Sequence, residues 1–253
     1  MSPDEPIAEL AALIDHALLH PTLTEAELRD GCALARRYGV ASVCIKPYAV
    51  PLAHTLLAGS GVRVGTVVGF PSGAHATPIK VAETLQACRD GAVEIDMVVN
   101  LGDVLDQRWE AVETEIQAIN DACRAEGAIL KVIFETDYLP ADSFIIELCR
   151  ICTRVGVAFV KTSTGFGFVR GADGRYGYVG ATEPHLRLML DHVGPGVGVK
   201  ASGGVRTLDG LLALKALGVT RLGTSATAAI LDEARQRAGR PPLSEPTPTT
   251  TGY

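Results

Sequence analysis

The chain has 253 residues, 47% of them apolar and 21% charged, which fits a folded globular protein and excludes a disordered one. A formal net charge of −6 leaves no basic footprint for nucleic acid, and no run approaches the ~18 apolar residues that a membrane span needs. The opening MSPDEPIAEL lacks the charged-then-apolar order of a secretory signal, so a cytoplasmic protein is expected.

From residue 40 to 239, short β-branched runs alternate with longer segments of helical period, the signature of repeated βα units around a parallel sheet. In chain order the predicted strands cover 13–19, 40–46, 62–70, 93–100, 128–136, 157–164, 197–203 and 219–226. Eight of them in a chain of this length predict a single-domain (β/α)8 barrel over residues 1–240, with a doubly wound open sheet as the alternative fold.

The segments between them carry apolar residues at three- and four-residue spacings. Several begin with Thr, Ser or Asp near a Glu, as N-caps do, and end at Gly39, Gly91, Gly127, Gly156, Gly194, Gly218 and Gly239, as C-terminal caps do. The second connection, PYAVPLAHTLLAGS, is the weakest predicted helix because Pro51 interrupts it. Six cysteines do not form a disulfide framework in a chain this long, and Cys149 and Cys152 read as core residues of the helix FIIELCRICTRVG.

Successive strand side chains point to opposite faces, and in a barrel the inward set fills the centre. By that parity Phe159, Lys161 and Ser163 point in, as do Gly198, Lys200 and Ser202; Glu94, Asp96 and Val98; and Lys131, Ile133 and Glu135. The first two strands direct Asp15 inward beside Leu13, and Cys44 beside Ser42 and Lys46, with His16 on the outward side. At least three lysines and several carboxylates thus stand where a purely structural barrel would carry Val, Ile and Leu. Buried charge is costly unless paired, so the pattern calls for either a structural ion network or chemistry.

Lysines gathered in one cavity have a specific use. An amine attacks a carbonyl only when neutral, and at a reference pKa of about 10.4 fewer than roughly one lysine in a thousand is neutral at pH 7. A second cation and partial burial favour the neutral form, and Lys161 and Lys200 lie on neighbouring predicted strands. Parity leaves open which of the two attacks.

Barrels of this class often bind phosphate at the loops after strands seven and eight. Here those loops contain Ser202-Gly203-Gly204-Val205-Arg206-Thr207 and Gly223-Thr224-Ser225-Ala226, with Gly165 as a third wall. The six histidines form no HxH or HExxH pattern, so no metal is expected; no GxGxxG opens a helix after a strand, and no cofactor is expected.

LIDHALLHPTLTEAEL, VASVCIKP, VGFPSGAHATPIKVAETLQACRDGAVEIDMVVNLG, LKVIFET, FVKTSTGFG, VGVKASGGVRT and RLGTSA together resemble the deoxyribose-phosphate aldolase family from residue 13 to about 226. The resemblance implies reversible cleavage of 2-deoxy-D-ribose 5-phosphate to glyceraldehyde 3-phosphate and acetaldehyde. It implies that Lys161 forms the Schiff base, Lys200 lowers its pKa and Asp96 relays protons. Asp15, Cys44, Lys131 and Thr164 are then expected to line the substrate pocket, with Gly165, Gly203, Gly204, Gly223 and Ser225 holding phosphate. The implied partners are small phosphosugars and aldehydes; homo-oligomerisation is left open.

Two departures from the family pattern stand out. GFVRGADGRYGYVGAT is longer than the usual loop after KTST, and Thr227 follows GTSA where a smaller residue often helps hold phosphate. A Schiff-base aldolase or transaldolase for another phosphosugar, or a catalytically silent phosphosugar-binding barrel, are the competing readings. The Pro- and Thr-rich end, residues 241–253, is expected to be a flexible tail whose last residue, Tyr253, has the reach to enter the site.

Overall fold

The computed structural model describes residues 5–171 and 174–244. Strands β1 (Ile14–Leu18), β2 (Ser42–Ile45), β3 (Arg63–Val68), β4 (Glu94–Val98), β5 (Ile129–Ile133) and β6 (Phe159–Lys161) lie side by side in sequence order. The barrel closes through β9 (Gly198–Ser202) and β10 (Arg221–Thr224), which pair parallel between β6 and β1. All eight barrel strands fall inside the predicted ranges and each pairing is parallel. The open doubly wound sheet is thereby excluded.

The connecting helices are α2 (Glu25–Tyr38), α3 (Val50–Leu57), α4 (Thr77–Arg89), α6 (Trp109–Ala125), α7 (Asp142–Val155), α8 (Glu183–His192), α9 (Leu208–Leu217) and α10 (Thr227–Arg237). Among the described residues none is long and apolar enough to cross a membrane. α2 shows how local sequence sets the ends. Thr24 and Glu27 exchange side-chain-to-backbone hydrogen bonds in a capping box, and Gly39 ends the helix in the left-handed region at φ 62°. Gly194 departs from that expectation. Helix α8 ends at Val193 in an extended conformation, and the Gly194 N–H donates to Thr153 Oγ1 instead (2.9 Å).

Pro51 does not break the second connection as expected. It falls in the first turn of α3, where a missing N–H costs nothing and its fixed φ suits the helix. Three short elements have no counterpart in the sequence periodicity: α1 (Glu5–Ala11), which packs on α10; α5 (Leu101–Leu105); and a hairpin of β7 (Val169–Arg170) and β8 (Tyr176–Gly177) in the long loop after β6. They are too short for a periodic signal.

The strand faces sort as parity predicts. Ile14, Val43, Ile95, Met97, Leu130, Val132, Val160, Ala201 and Leu222 are wholly buried under the helices, each contributing about 1.5–3 kcal/mol by leaving water for the larger side chains. Cys149 and Cys152 are buried on α7, and all six cysteines are free thiols. At the C-terminal end, Leu243 and Ser244 dock through their N–H groups on the Asp232 carboxylate of α10, so the chain stays attached to the barrel to this point. The tail beyond, 245–253 with Tyr253, lies outside the described residues.

Candidate active site

The inward strand residues meet in one continuous ion network. Lys161 Nζ donates to Asp96 Oδ2 at 2.8 Å, and Lys200 Nζ donates to the same oxygen at 2.7 Å and to Asp15 Oδ2 at 2.5 Å. Deeper in the barrel, the Lys131 ammonium lies within 3 Å of three carboxylates: Asp15 (2.9 Å), Glu94 (2.6 Å) and Asp96 (2.9 Å). Its contact with Asp96 Oδ1 is an ion pair rather than an aligned hydrogen bond. Arg221 Nη1 spans Asp15 (2.6 Å) and Glu94 (3.0 Å), and the half-exposed Arg63 closes the far end on Glu94 (2.9 Å).

The buried part of this network holds four cationic side chains, Lys131, Lys161, Lys200 and Arg221, against three carboxylates, Asp15, Glu94 and Asp96. One positive charge is in excess. Burial alone would push the carboxyls of Asp15 and Asp96 up, yet the surrounding cations overcome it and hold both well below the ordinary carboxylate range. Burial likewise favours neutral Lys131 and Lys200, and the carboxylates beside them win, raising both above the usual lysine value. Lys200 and Lys131 are therefore fixed cations, and they stand on the same carboxylate as Lys161.

Above the network opens a cavity of about 730 Å3 at the C-terminal ends of the strands. Lys161, Lys200, Asp15 and Cys44 form part of its floor, while Thr164, Gly165, Gly203, Gly204, Gly223 and Ser225 line its walls together with Arg206. Asp96 and Lys131 do not reach it. Lys131, expected in the substrate pocket, has its ammonium wholly buried among three carboxylates beneath the floor and does not line the cavity. Burial pushes the Cys44 thiol up to about 11, so it meets the cavity as a neutral group.

Gly203 and Gly204 adopt φ 90° and 87°, a left-handed turn that other residues adopt only with strain, and so present backbone rather than side chains to the cavity. Gly223 is required for space. A Cβ there would come within 2.7 Å of Ser202 Oγ and 3.4 Å of Lys200 Cε. Thr227 does not line the cavity: it is buried, its hydroxyl 2.9 Å from His16 Nδ1. His16 is itself core, 4% exposed, with a pKa lowered to about 4 by burial.

Three features of the site differ from the sequence expectations or go beyond them. Arg221 lies two residues before Gly223 and hence on the inward face, a parity signal that was there to use. Lys46 stands just past β2, where its ammonium binds the carbonyls of His20 (3.2 Å), Pro21 (3.4 Å) and Leu23 (2.9 Å) rather than pointing into the barrel centre. The long loop after β6 brings Phe166, Gly167 and Tyr178 to the cavity, with Phe166 packed edge-on against Phe70 at 5.5 Å. No local pattern encodes those contacts.

Comparison with known proteins agrees with this geometry. The model of the DeoC/LacD family aldolases matches residues 10–222. The chain is 47% identical over 245 residues to a deoxyribose-phosphate aldolase of Rhodopirellula baltica, covering 97% of both chains. It is 46% identical to deoxyribose-phosphate aldolase 1 of Cutibacterium acnes over 88% of this chain and 96% of that one. Among solved structures, the tetrameric deoxyribose phosphate aldolase of Aeropyrum pernix superposes with a TM-score of 0.81 at 29% identity, covering 91% of this chain and 93% of that one. A closed parallel barrel with a lysine-rich floor, the family model and these relatives converge: the chain belongs to the DeoC/LacD family of aldolases.

Proposed function

We propose that the protein is a class I aldolase that cleaves 2-deoxy-D-ribose 5-phosphate reversibly to D-glyceraldehyde 3-phosphate and acetaldehyde. The observation that carries this reading is a lysine on the cavity floor, Lys161, sharing one buried carboxylate oxygen with a second, permanently charged lysine, Lys200. Of the four cations in the buried centre, Lys161 and Lys200 line the cavity, and the family resemblance assigns the attack to Lys161.

Neutral Lys161 attacks the substrate aldehyde carbon C1, and the carbinolamine loses water to give a protonated imine. Asp96, bonded to Lys161, takes and returns the protons these steps move. The C3 hydroxyl then loses its proton and the C2–C3 bond breaks. Its electron pair enters the imine as an enamine, and glyceraldehyde 3-phosphate departs. Protonation of the enamine at C2 and hydrolysis release acetaldehyde and restore the lysine. The turn at Gly203 and Gly204, with Ser225, Gly165 and Arg206, is suited to hold the phosphate at the far wall through N–H groups and a guanidinium.

Incubation with deoxyribose 5-phosphate should release acetaldehyde, in a reaction that survives EDTA. Borohydride added with substrate should inactivate the enzyme and leave a stable adduct on the peptide containing VKTSTGF. An adduct on Lys200 instead would reverse the two lysine roles, and no acetaldehyde would remove the substrate assignment. A cytoplasmic location is part of this reading, supported by six free thiols, which a reducing compartment preserves; cell fractionation tests it.

A further inference from the structure

One buried carboxylate near the cavity is hydrogen-bonded outside the network beneath it. Glu135 is 1% exposed and stands just beyond β5, in the left-handed region at φ 53° and ψ 62°, a conformation a non-glycine residue adopts only with strain. The neighbouring backbone shows why the chain turns there. The Phe134 N–H donates to Lys161 O (2.9 Å) and the Thr136 N–H to Thr162 O (3.0 Å). Two steps along the β5 side therefore match one step along the β6 side, which is a β-bulge with Glu135 as the extra residue. Bulges re-aim side chains, and this one turns the Glu135 carboxylate onto the strand that carries Lys161. There it accepts the Thr164 N–H (3.2 Å to each oxygen) and the Thr164 hydroxyl.

The same turn holds the rest of the loop. Asp137 accepts the N–H groups of Val179 (2.9 Å) and Gly180 (3.0 Å), and the Tyr138 hydroxyl accepts the Phe168 N–H (2.8 Å). Thr164 Oγ1 in turn accepts the Phe166 N–H (2.9 Å). Glu135 and Tyr138 thus hold the outgoing side of the 164–180 loop, at Thr164 and Phe168, and Asp137 holds its return, and that loop supplies Thr164, Gly165, Phe166, Gly167 and Tyr178 to the cavity.

We propose that Glu135 is a positioning residue for the aldol reaction: through Thr164 it fixes the exit of β6, three residues from Lys161, and with it the cavity wall that the loop provides. The proposal rests on Lys161 being the Schiff-base lysine. Glu135 touches no reacting atom. Its carboxylate offers the two acceptors that the Thr164 N–H and hydroxyl require together, and no neutral apolar side chain replaces it.

The test is a cycle of Glu135→Ala, Thr164→Val and the double variant, read by kcat and KM for deoxyribose 5-phosphate cleavage and by hydrogen–deuterium exchange of the 164–180 peptide. Glu135→Ala should lower kcat on the order of 100-fold, the cost of an ångström-scale misplacement, with KM changed far less. Exchange across 164–180 should accelerate, and the losses of the two single variants should not multiply in the double one. Glu135→Gln should recover most of kcat, since its amide oxygen accepts the Thr164 N–H and its amide nitrogen donates to Thr164 Oγ1. Glu135→Asp keeps the charge and withdraws it by one methylene, so it gives the same reading if the alanine variant does not fold. Wild-type kcat in Glu135→Ala, or multiplying losses in the double variant, overturns the proposal. Should the wild-type protein cleave no deoxyribose 5-phosphate, the substrate assignment fails by itself, and the exchange experiment still decides the latch.

Discussion

Two buried lysine–carboxylate clusters in this barrel have opposite characters. In the outer layer Lys80 of α4 is completely buried, and its ammonium donates to Glu115 Oε1 of α6 (2.9 Å) and to Val98 O at the end of β4 (2.8 Å). The second oxygen of Glu115 accepts the Asn100 N–H (3.1 Å). One cation meets one carboxylate and neither lines the cavity: the pair staples two helices to a strand end. The barrel centre holds four buried cations to three carboxylates, and Lys161 and Lys200 open onto the cavity. Burial is common to both clusters. What separates them is the balance of charge and the access to the cavity.

The sharpest way to break this contrast is to remove one lysine from each cluster. Lys161→Leu should reduce acetaldehyde release to the uncatalysed background at every pH, whereas Lys80→Met should leave the kcat of the folded enzyme close to wild type. Residual turnover in Lys161→Leu would move the Schiff base elsewhere.

Within the centre, Asp96→Asn removes the carboxylate common to Lys161 and Lys200. Turnover should fall about 10²–10⁴-fold, the usual worth of a general acid–base group, with a far smaller change in substrate affinity; a change confined to KM would refute the proton-transfer role. Lys200→Leu removes the second cation that shares Asp96 Oδ2 with Lys161 and converts the four-to-three count to three-to-three. The pH–rate profile should move to alkaline values, and an unmoved profile would show that the charge excess is not what activates the amine.

For the staple the readout is stability. Breaking the pair in Lys80→Met leaves Glu115 buried without its partner and should cost about 3–5 kcal/mol by denaturant unfolding. Replacing both, Lys80→Met with Glu115→Leu, should recover most of that loss, because a well-packed apolar pair of similar volume substitutes for a closed ion pair. No such recovery is expected from paired replacements in the centre.

The smallest expected effect concerns His16, buried against Thr227 and held neutral by burial, with its pKa lowered to about 4. The unfolded chain takes up that proton near the ordinary value of about 6.5. Acid therefore favours unfolding: the stability is fully present above pH ~6.5 and is lost as pH falls toward 4, by up to about 3 kcal/mol. His16→Gln should flatten the dependence of the urea midpoint on pH across that window, and an unchanged slope would assign the acid sensitivity to other groups.

Much of this was readable in the chain itself, and the reason is physical. Strand side chains alternate with period two, so Lys161, Lys200, Asp96 and Asp15 could be placed on the inward face from sequence alone, and all four meet at the barrel centre. Helix periodicity and caps such as Thr24 and Gly39 are likewise local, and gave the order of the elements. The tertiary structure decided what depends on residues far apart in the chain. It buries Lys131 beneath the cavity floor, joins Arg221 to Asp15 across 206 positions, and ties Lys80 to Glu115 through two helices. It also sets the bulge at Glu135, which forms just past the ends of β5 and β6, where the hydrogen bonds between the two chain segments fall out of step. Parity tells which way a side chain points. Only closure of the barrel determines how deep it lies and which charges it meets, because depth depends on the register of neighbouring strands and not on any strand's own sequence.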